Sequence, residues 1–309
     1  MLIFFIILFV VLTAIFLIGY YFFSIAFVKH NFSDTDNPID SINQNLSQYK
    51  EAISKGIEFI NTEPSKEVFI NSFDGKKLAA KYFYYGSDKS IILMHGYRSS
   101  AARDFSCAVS MYKAFGFNVL LCDQRSHGNS EGRLITFGIK ESYDAKLWAD
   151  FLTEKFSQNR ILLSGISMGA STVMLSLGHE LPSSVKAVIA DCGFTSAKEI
   201  IEIVGNRSYK INPRPLMPFL NLYCLLFGRF SIFTKSAIDT VKESKIPVLL
   251  IHGADDSFVP SEMSERIHKS SNNTELLSIK GADHGLSYLV DRKTVESKIK
   301  EFLIKNNLY

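Results

Sequence analysis

The chain has 309 residues, 47% of them hydrophobic and 21% charged, enough apolar material to bury a sizeable core and to exclude disorder as the dominant state. Lys and Arg (34) against Asp and Glu (31) leave a net charge of +3, which is no basic footprint for nucleic acid, and the sequence has no RNP or zinc-finger pattern. The four cysteines, Cys107, Cys122, Cys192 and Cys224, are too sparse for a disulfide framework and form no C-x-x-C; the positions of Cys122 and Cys192 at the ends of apolar runs predict buried thiols.

Residues 1–28 carry no charged side chain, and Lys29 is the first. As a helix this run would be about 42 Å long against roughly 30 Å of hydrocarbon, which predicts a single transmembrane anchor over 1–28. Tyr20 and Tyr21 suit its interfacial end. A cleaved signal peptide is the competing reading, with Ser24-Ile25-Ala26 as a weak cleavage site. The lack of a positive n-region and the length of the apolar run favour the anchor. Lys29 alone does not orient it, so the side of the membrane that holds the body stays open. Residues 29–65 are mostly polar and predict a stalk, with a short helix over 46–60.

From Lys66 onward the pattern changes. Lys66–Asn71 and Lys77–Tyr85 flank the turn signal Asp74-Gly75 and predict a hairpin. Short apolar runs follow at 91–94, 117–122, 161–164, 187–190, 248–251 and 276–279, each separated from the next by room for a helix. Apolar strands with helical crossovers predict an α/β fold, a mainly parallel sheet of about eight strands with helices on both faces. In such sheets ligands bind beyond the carboxyl ends of the strands. The residues placed there are His95-Gly96, Asp123, Gly165-Ile166-Ser167, Asp191, His252-Gly253 with Asp255-Asp256, and Asp283-His284-Gly285.

Gly165-Ile166-Ser167-Met168-Gly169 is a G-x-S-x-G, weak as a pentad but strong between a strand-like run and the small-residue, helix-compatible stretch from Ala170. The glycines suit a strained strand-to-helix turn, and Ser167 would sit at a helix N-terminus. A serine hydroxyl needs a base, and the base needs a partner that fixes its tautomer. Of seven histidines, His284 alone lies downstream of Ser167 with room for an acid loop before it, in the chain order serine, acid, histidine. Asp256 is the preferred acid, 89 residues after Ser167 and 28 before His284; Asp255 beside it and Asp191 after an earlier strand are the alternatives.

Together these pieces resemble the α/β-hydrolase superfamily, in particular the membrane-tethered bacterial serine hydrolases of the serine-aminopeptidase-like, cell-surface type. The resemblance rests on Leu93-Met94-His95-Gly96-Tyr97, the loop Asp123-Gln124-Arg125-Ser126-His127-Gly128, the Ser167 pentad, Ile251-His252-Gly253 with Asp256 and Val259-Pro260, and Asp283-His284-Gly285. It runs across residues 66–309; Ser126 stands where the family more often has Gly. It implies an oxyanion hole from the backbone N–H groups of Tyr97 and Met168, with no direct part for either side chain. It also gives Arg125 and His127 a loop-organising role.

The stretch of about 195–240 interrupts the strand–helix alternation. Pro213, Pro215 and Pro218 break it up, and 219–233 is nearly all apolar, as expected of a greasy lid over an acyl- or lipid-sized pocket or against a bilayer. The expectation is a serine hydrolase acting on carboxylic esters, acyl lipids or thioesters and held to the membrane by its N-terminal helix. A peptidase or amidase of the same fold and a non-catalytic binding protein are the alternatives. No metal or organic cofactor is implied, because H-E-x-x-H, clustered Cys/His ligands and a dinucleotide fingerprint are missing.

Overall fold

The computed structural model of the chain describes residues 1–29 and 48–309. Its strands are β1 (Lys66–Asn71), β2 (Lys77–Phe83), β3 (Lys89–Met94), β4 (Asn118–Cys122), β5 (Arg160–Ile166), β6 (Val185–Asp191), β7 (Val248–Gly253) and β8 (Thr274–Ile279). They form one sheet in the order β1-β2-β4-β3-β5-β6-β7-β8. β2 pairs antiparallel with β1 and β4, and the other neighbours are parallel. The helices are α1 (Leu2–Phe27), α2 (Lys50–Thr62), α3 (Ala101–Asp104), α4 (Ala108–Ala114), α5 (Glu141–Phe156), α6 (Met168–Ser176), α7 (Ala197–Ser208), α8 (Met217–Tyr223), α9 (Ala237–Glu243), α10 (Glu262–Ser270), α11 (Ser287–Val290) and α12 (Arg292–Lys305).

The central strands are apolar on both faces because both faces are covered. Side chains alternate across a strand. Ile92, Leu120, Leu163 and Val188 pack with Trp148, Leu152 and Val173 of α5 and α6. Their neighbours Ile91, Val119, Leu162 and Ala187 pack on the other face with Tyr112 of α4 and Phe302 and Leu303 of α12. A third apolar cluster lies above the carboxyl edge of the sheet and joins Met168, Phe194 and Ile200 to Leu220, Tyr223 and, from the N-terminal helix, Phe23 and Phe27.

Two boundaries and one contact differ from the sequence expectation. Residues 30–47 of the expected stalk lie outside the described residues, but α2 packs on the body: Ile53 and Ile60 are buried, and a Cβ on Gly56 would lie 2.2 Å from the Ser106 carbonyl oxygen. The packed body therefore begins near residue 50, not 66. The lid also ends earlier than 240, since Ala237 and Val241 of α9 belong to the cluster around α5 and α6. Finally, α1 does not stand apart from the body. Val28 bridges Leu134, Lys29 N donates to the Arg133 carbonyl and Ile135 N to the Phe27 carbonyl, each at 2.7 Å. Among the described residues α1 is the one helix long and apolar enough to cross a membrane, a property shared by spans and signal sequences.

Candidate active site

β5 passes into α6 through Ser167, whose φ of +55° and ψ of −115° place a non-glycine residue in a conformation L side chains rarely adopt. The flanking glycines make that turn possible. A Cβ on Gly165 would lie 2.1 Å from the Gly169 carbonyl, and one on Gly169 would lie 1.8 Å from the Met94 carbonyl oxygen. The Ser167 N–H donates to the Asp191 carbonyl at 2.8 Å, tying the turn to the end of β6. The hydroxyl is thereby held at the carboxyl edge of the sheet, 2.9 Å from Nε2 of His284.

His284 follows β8, and its Nδ1 lies 2.7 Å from Oδ2 of Asp256, in the loop after β7. Asp283 binds the two loops together: its Oδ1 accepts from the backbone and hydroxyl of Ser257 and from the His284 N–H. Asp256 Oδ1 accepts from the N–H groups of Phe258 and Val259. Burial works to raise the Asp256 pKa, but hydrogen bonds from His252 and His284 outweigh it and hold the carboxyl well below the usual range. An ionised acceptor at this point keeps the His284 proton on Nδ1 and leaves the Nε2 lone pair facing the serine hydroxyl.

Of the other candidate acids, Asp255 is a turn residue whose Oδ2 accepts from the Gly281 N–H. Asp191 Oδ1 accepts from Ser287, and burial pushes its carboxyl up to about 6. Beside it, burial keeps the Cys192 thiol well above its ordinary pKa, and the thiol sits within 4.8 Å of a carboxylate oxygen of Asp256 and a ring nitrogen of His284. The sequence places His252 at the carboxyl edge of the sheet without giving it a role. It lies buried behind Asp256, Nε2 3.2 Å from Oδ2 and 3.0 Å from the Val259 carbonyl, with Nδ1 2.6 Å from the Ser264 hydroxyl. The four-residue step from His252 to Asp256 across one tight loop was the signal available for it.

The loop after β3 runs beside Ser167. A Cβ on Gly96 would meet the Ser167 Cβ at 3.5 Å. The loop is pinned on both sides of Tyr97: the Gly96 N–H donates to Asp104 Oδ2 at 2.7 Å, and the Arg98 N–H donates to His127 Nε2 at 3.1 Å. These bonds fix the segment that carries the Tyr97 amide, and Met168 supplies the first amide of α6, at the positive end of the helix. His127 and Arg125 organise this region, Arg125 through a two-pronged ion pair with Asp144. The Tyr97 side chain has a part that the sequence reading did not give it. Its hydroxyl donates to the Ala26 carbonyl of α1 at 2.8 Å, and its ring stacks on Phe137.

Two cavities meet at Ser167, with Tyr97 and Phe258 lining both. One, of about 410 Å³, runs along α3 and α4 past His284. The other, of about 300 Å³, is bounded by α7, by the lid residues Leu216 and Leu220, and by Phe22, Ile25 and Ala26 of α1. Both fall in the size range of small-molecule sites, about 300–1,000 Å³.

Residues 86–216 match the family described as serine aminopeptidase, S33, and residues 231–308 match the family described as TAP-like protein. The uncharacterized protein YqkD of Bacillus subtilis is 27% identical over 225 residues, 72% of this chain and 73% of its own length. The α/β-hydrolase domain-containing protein WAV2 of Arabidopsis thaliana is 27% identical over 208 residues, 63% of each chain. Among solved structures, the esterase Pf2001 of Pyrococcus furiosus superposes with a TM-score of 0.64 at 25% identity, covering 79% of this chain and 93% of that one. Family matches on both sides of the lid, on a sheet of this order, establish that the chain belongs to the α/β-hydrolase superfamily and is a hydrolase.

Proposed function

We propose that the protein is a membrane-anchored serine hydrolase that cleaves carboxylic esters through an acyl-enzyme. The observation that carries this reading is the chain of contacts from Ser167 Oγ through His284 to Asp256, at 2.9 and 2.7 Å, on a turn that holds the hydroxyl in place. Ser167 attacks the carbonyl carbon while His284 Nε2 takes its proton. Asp256 stabilises the imidazolium so formed, and the amides of Tyr97 and Met168 receive the developing oxyanion. His284 passes the proton to the leaving alcohol. Water, activated by the same histidine, then releases the acid. α1 anchors the body, consistent with its 26 uninterrupted uncharged residues.

A peptidase that recognises a free amine needs a carboxylate left to pair with it. The carboxylates around Ser167 are already engaged: Asp104 with Gly96 and Ser99, Asp191 with Ser287, and Asp256 with His284. Among the described residues none that lines the smaller cavity is acidic. With the full chain in detergent micelles, kcat/KM for aryl esters is expected to exceed that for aminoacyl anilides by at least about a hundredfold. Faster cleavage of the aminoacyl anilides would overturn the ester reading in favour of a peptidase.

A further inference from the structure

We infer that the cavity shared by α1 and the lid takes the acyl chain of a bilayer lipid, which enters from the membrane between these two elements. The inference rests on the serine-hydrolase reading and names the substrate class of that site.

Length arithmetic sets the depth of the lid. The 26 residues of α1 rise about 39 Å, against a hydrocarbon core of roughly 30 Å, so about six residues emerge at one end. The helix meets the body at that end: Phe23 and Phe27 are buried there, whereas Leu2–Val10 are exposed throughout. The lid reaches further down the helix than those six residues. Tyr223 donates from its hydroxyl to the Phe16 carbonyl and packs against Phe16 and Tyr20, and Phe227 packs against Tyr20 and Phe23. At this depth the lid turns Phe219, Leu222, Leu225, Leu226 and Phe227 outward. Such a continuous exposed apolar surface, abutting a membrane span, is stable in acyl chains and not in water.

The cavity behind that surface is apolar and ends at Ser167. Its wall from α1 is held in register by polar bonds: Arg98 donates to the carbonyls of Ile25 and Val28, and Tyr97 to that of Ala26. A cation at the carbonyl end of a helix is favourable in its own right. Arg98 also keeps a buried Nε–H with no partner among the described residues. With the chain lodged here, Ser167 Oγ bonds to the lipid's carbonyl carbon as the ester C–O bond breaks. The hydroxyl proton passes through His284 to the departing alcohol, and water later frees the fatty acid.

The test compares a dodecanoyl aryl ester dissolved in dioleoylphosphatidylcholine vesicles with a water-soluble butanoyl ester, using the full chain reconstituted in those vesicles. The wild type is expected to favour the dodecanoyl ester by at least about tenfold in kcat/KM. Ile25→Trp from the α1 side and Leu216→Trp from the lid side should each fill the cavity and lower the ratio of dodecanoyl to butanoyl cleavage by a similar factor. Butanoyl turnover with a flat chain-length profile, unmoved in both variants, would overturn the lipid inference and leave the serine-hydrolase reading standing. Absence of turnover of either ester by the folded wild type would instead overturn the hydrolase reading on which the inference rests.

Discussion

Ser167→Ala is expected to lower ester turnover by about a million-fold, because the nucleophile and its base act as a unit and removing one leaves the other with nothing to do. The same change should leave the fold in place. The Ser167 hydroxyl contacts His284, while the turn itself is held by the Ser167 N–H on the Asp191 carbonyl and by the close approach of Gly165 to Gly169. None of these depends on Oγ, so the thermal midpoint should move by no more than a change of about 1 kcal/mol would cause. The check is kcat on an aryl ester beside a thermal unfolding curve. A loss of less than tenfold in a well-folded variant would sink the assignment of Ser167 as nucleophile.

Asp256→Asn is expected to cost about ten-thousandfold in kcat through the tautomer of His284 and not through its position. The amides of Phe258 and Val259 both donate to Oδ1, so an asparagine there would place its carbonyl oxygen on that side. Its NH₂ would then occupy the Oδ2 position and face His284 Nδ1 at about the 2.7 Å now seen. A donor there demands an acceptor, which moves the imidazole proton to Nε2 and leaves Ser167 facing an N–H. Asp255→Asn, which alters a turn residue bound to Gly281, should change turnover by less than about tenfold. Equal losses at 255 and 256, measured as kcat on the same ester, would contradict the role given to Asp256.

Much of the fold was legible because its signals lie in side chains. The apolar runs that became β3–β7 are buried on both faces, and the residues just beyond the strands, from His95 to His284, converge at one edge. Gly165 and Gly169 are legible as a tight turn because a Cβ at either would lie about 2 Å from backbone atoms, and glycine alone has none. The docking of α1 was not legible for the opposite reason. Arg98, Tyr97 and Tyr223 grip carbonyl oxygens of Ile25, Ala26 and Phe16, and every residue has a carbonyl. No residue type marks such a contact across 71 to 207 positions of chain. The contact of His252 with Asp256 is not legible in the sequence, because a histidine after a strand gives no sign that Asp256 folds back against it. The packing of α2 on the body leaves a faint sequence signal, because only two of its residues, Ile53 and Ile60, are buried.

The central claim is that Ser167 is a nucleophile activated by His284. The most direct measurement is reaction of the full chain in detergent with a serine-directed fluorophosphonate, followed by peptide mass mapping of the adduct. The account predicts one adduct, on Ser167, absent from Ser167→Ala and strongly slowed in Asp256→Asn. An adduct on another residue, or a folded wild type that does not react while a short-chain ester is still hydrolysed, would contradict it.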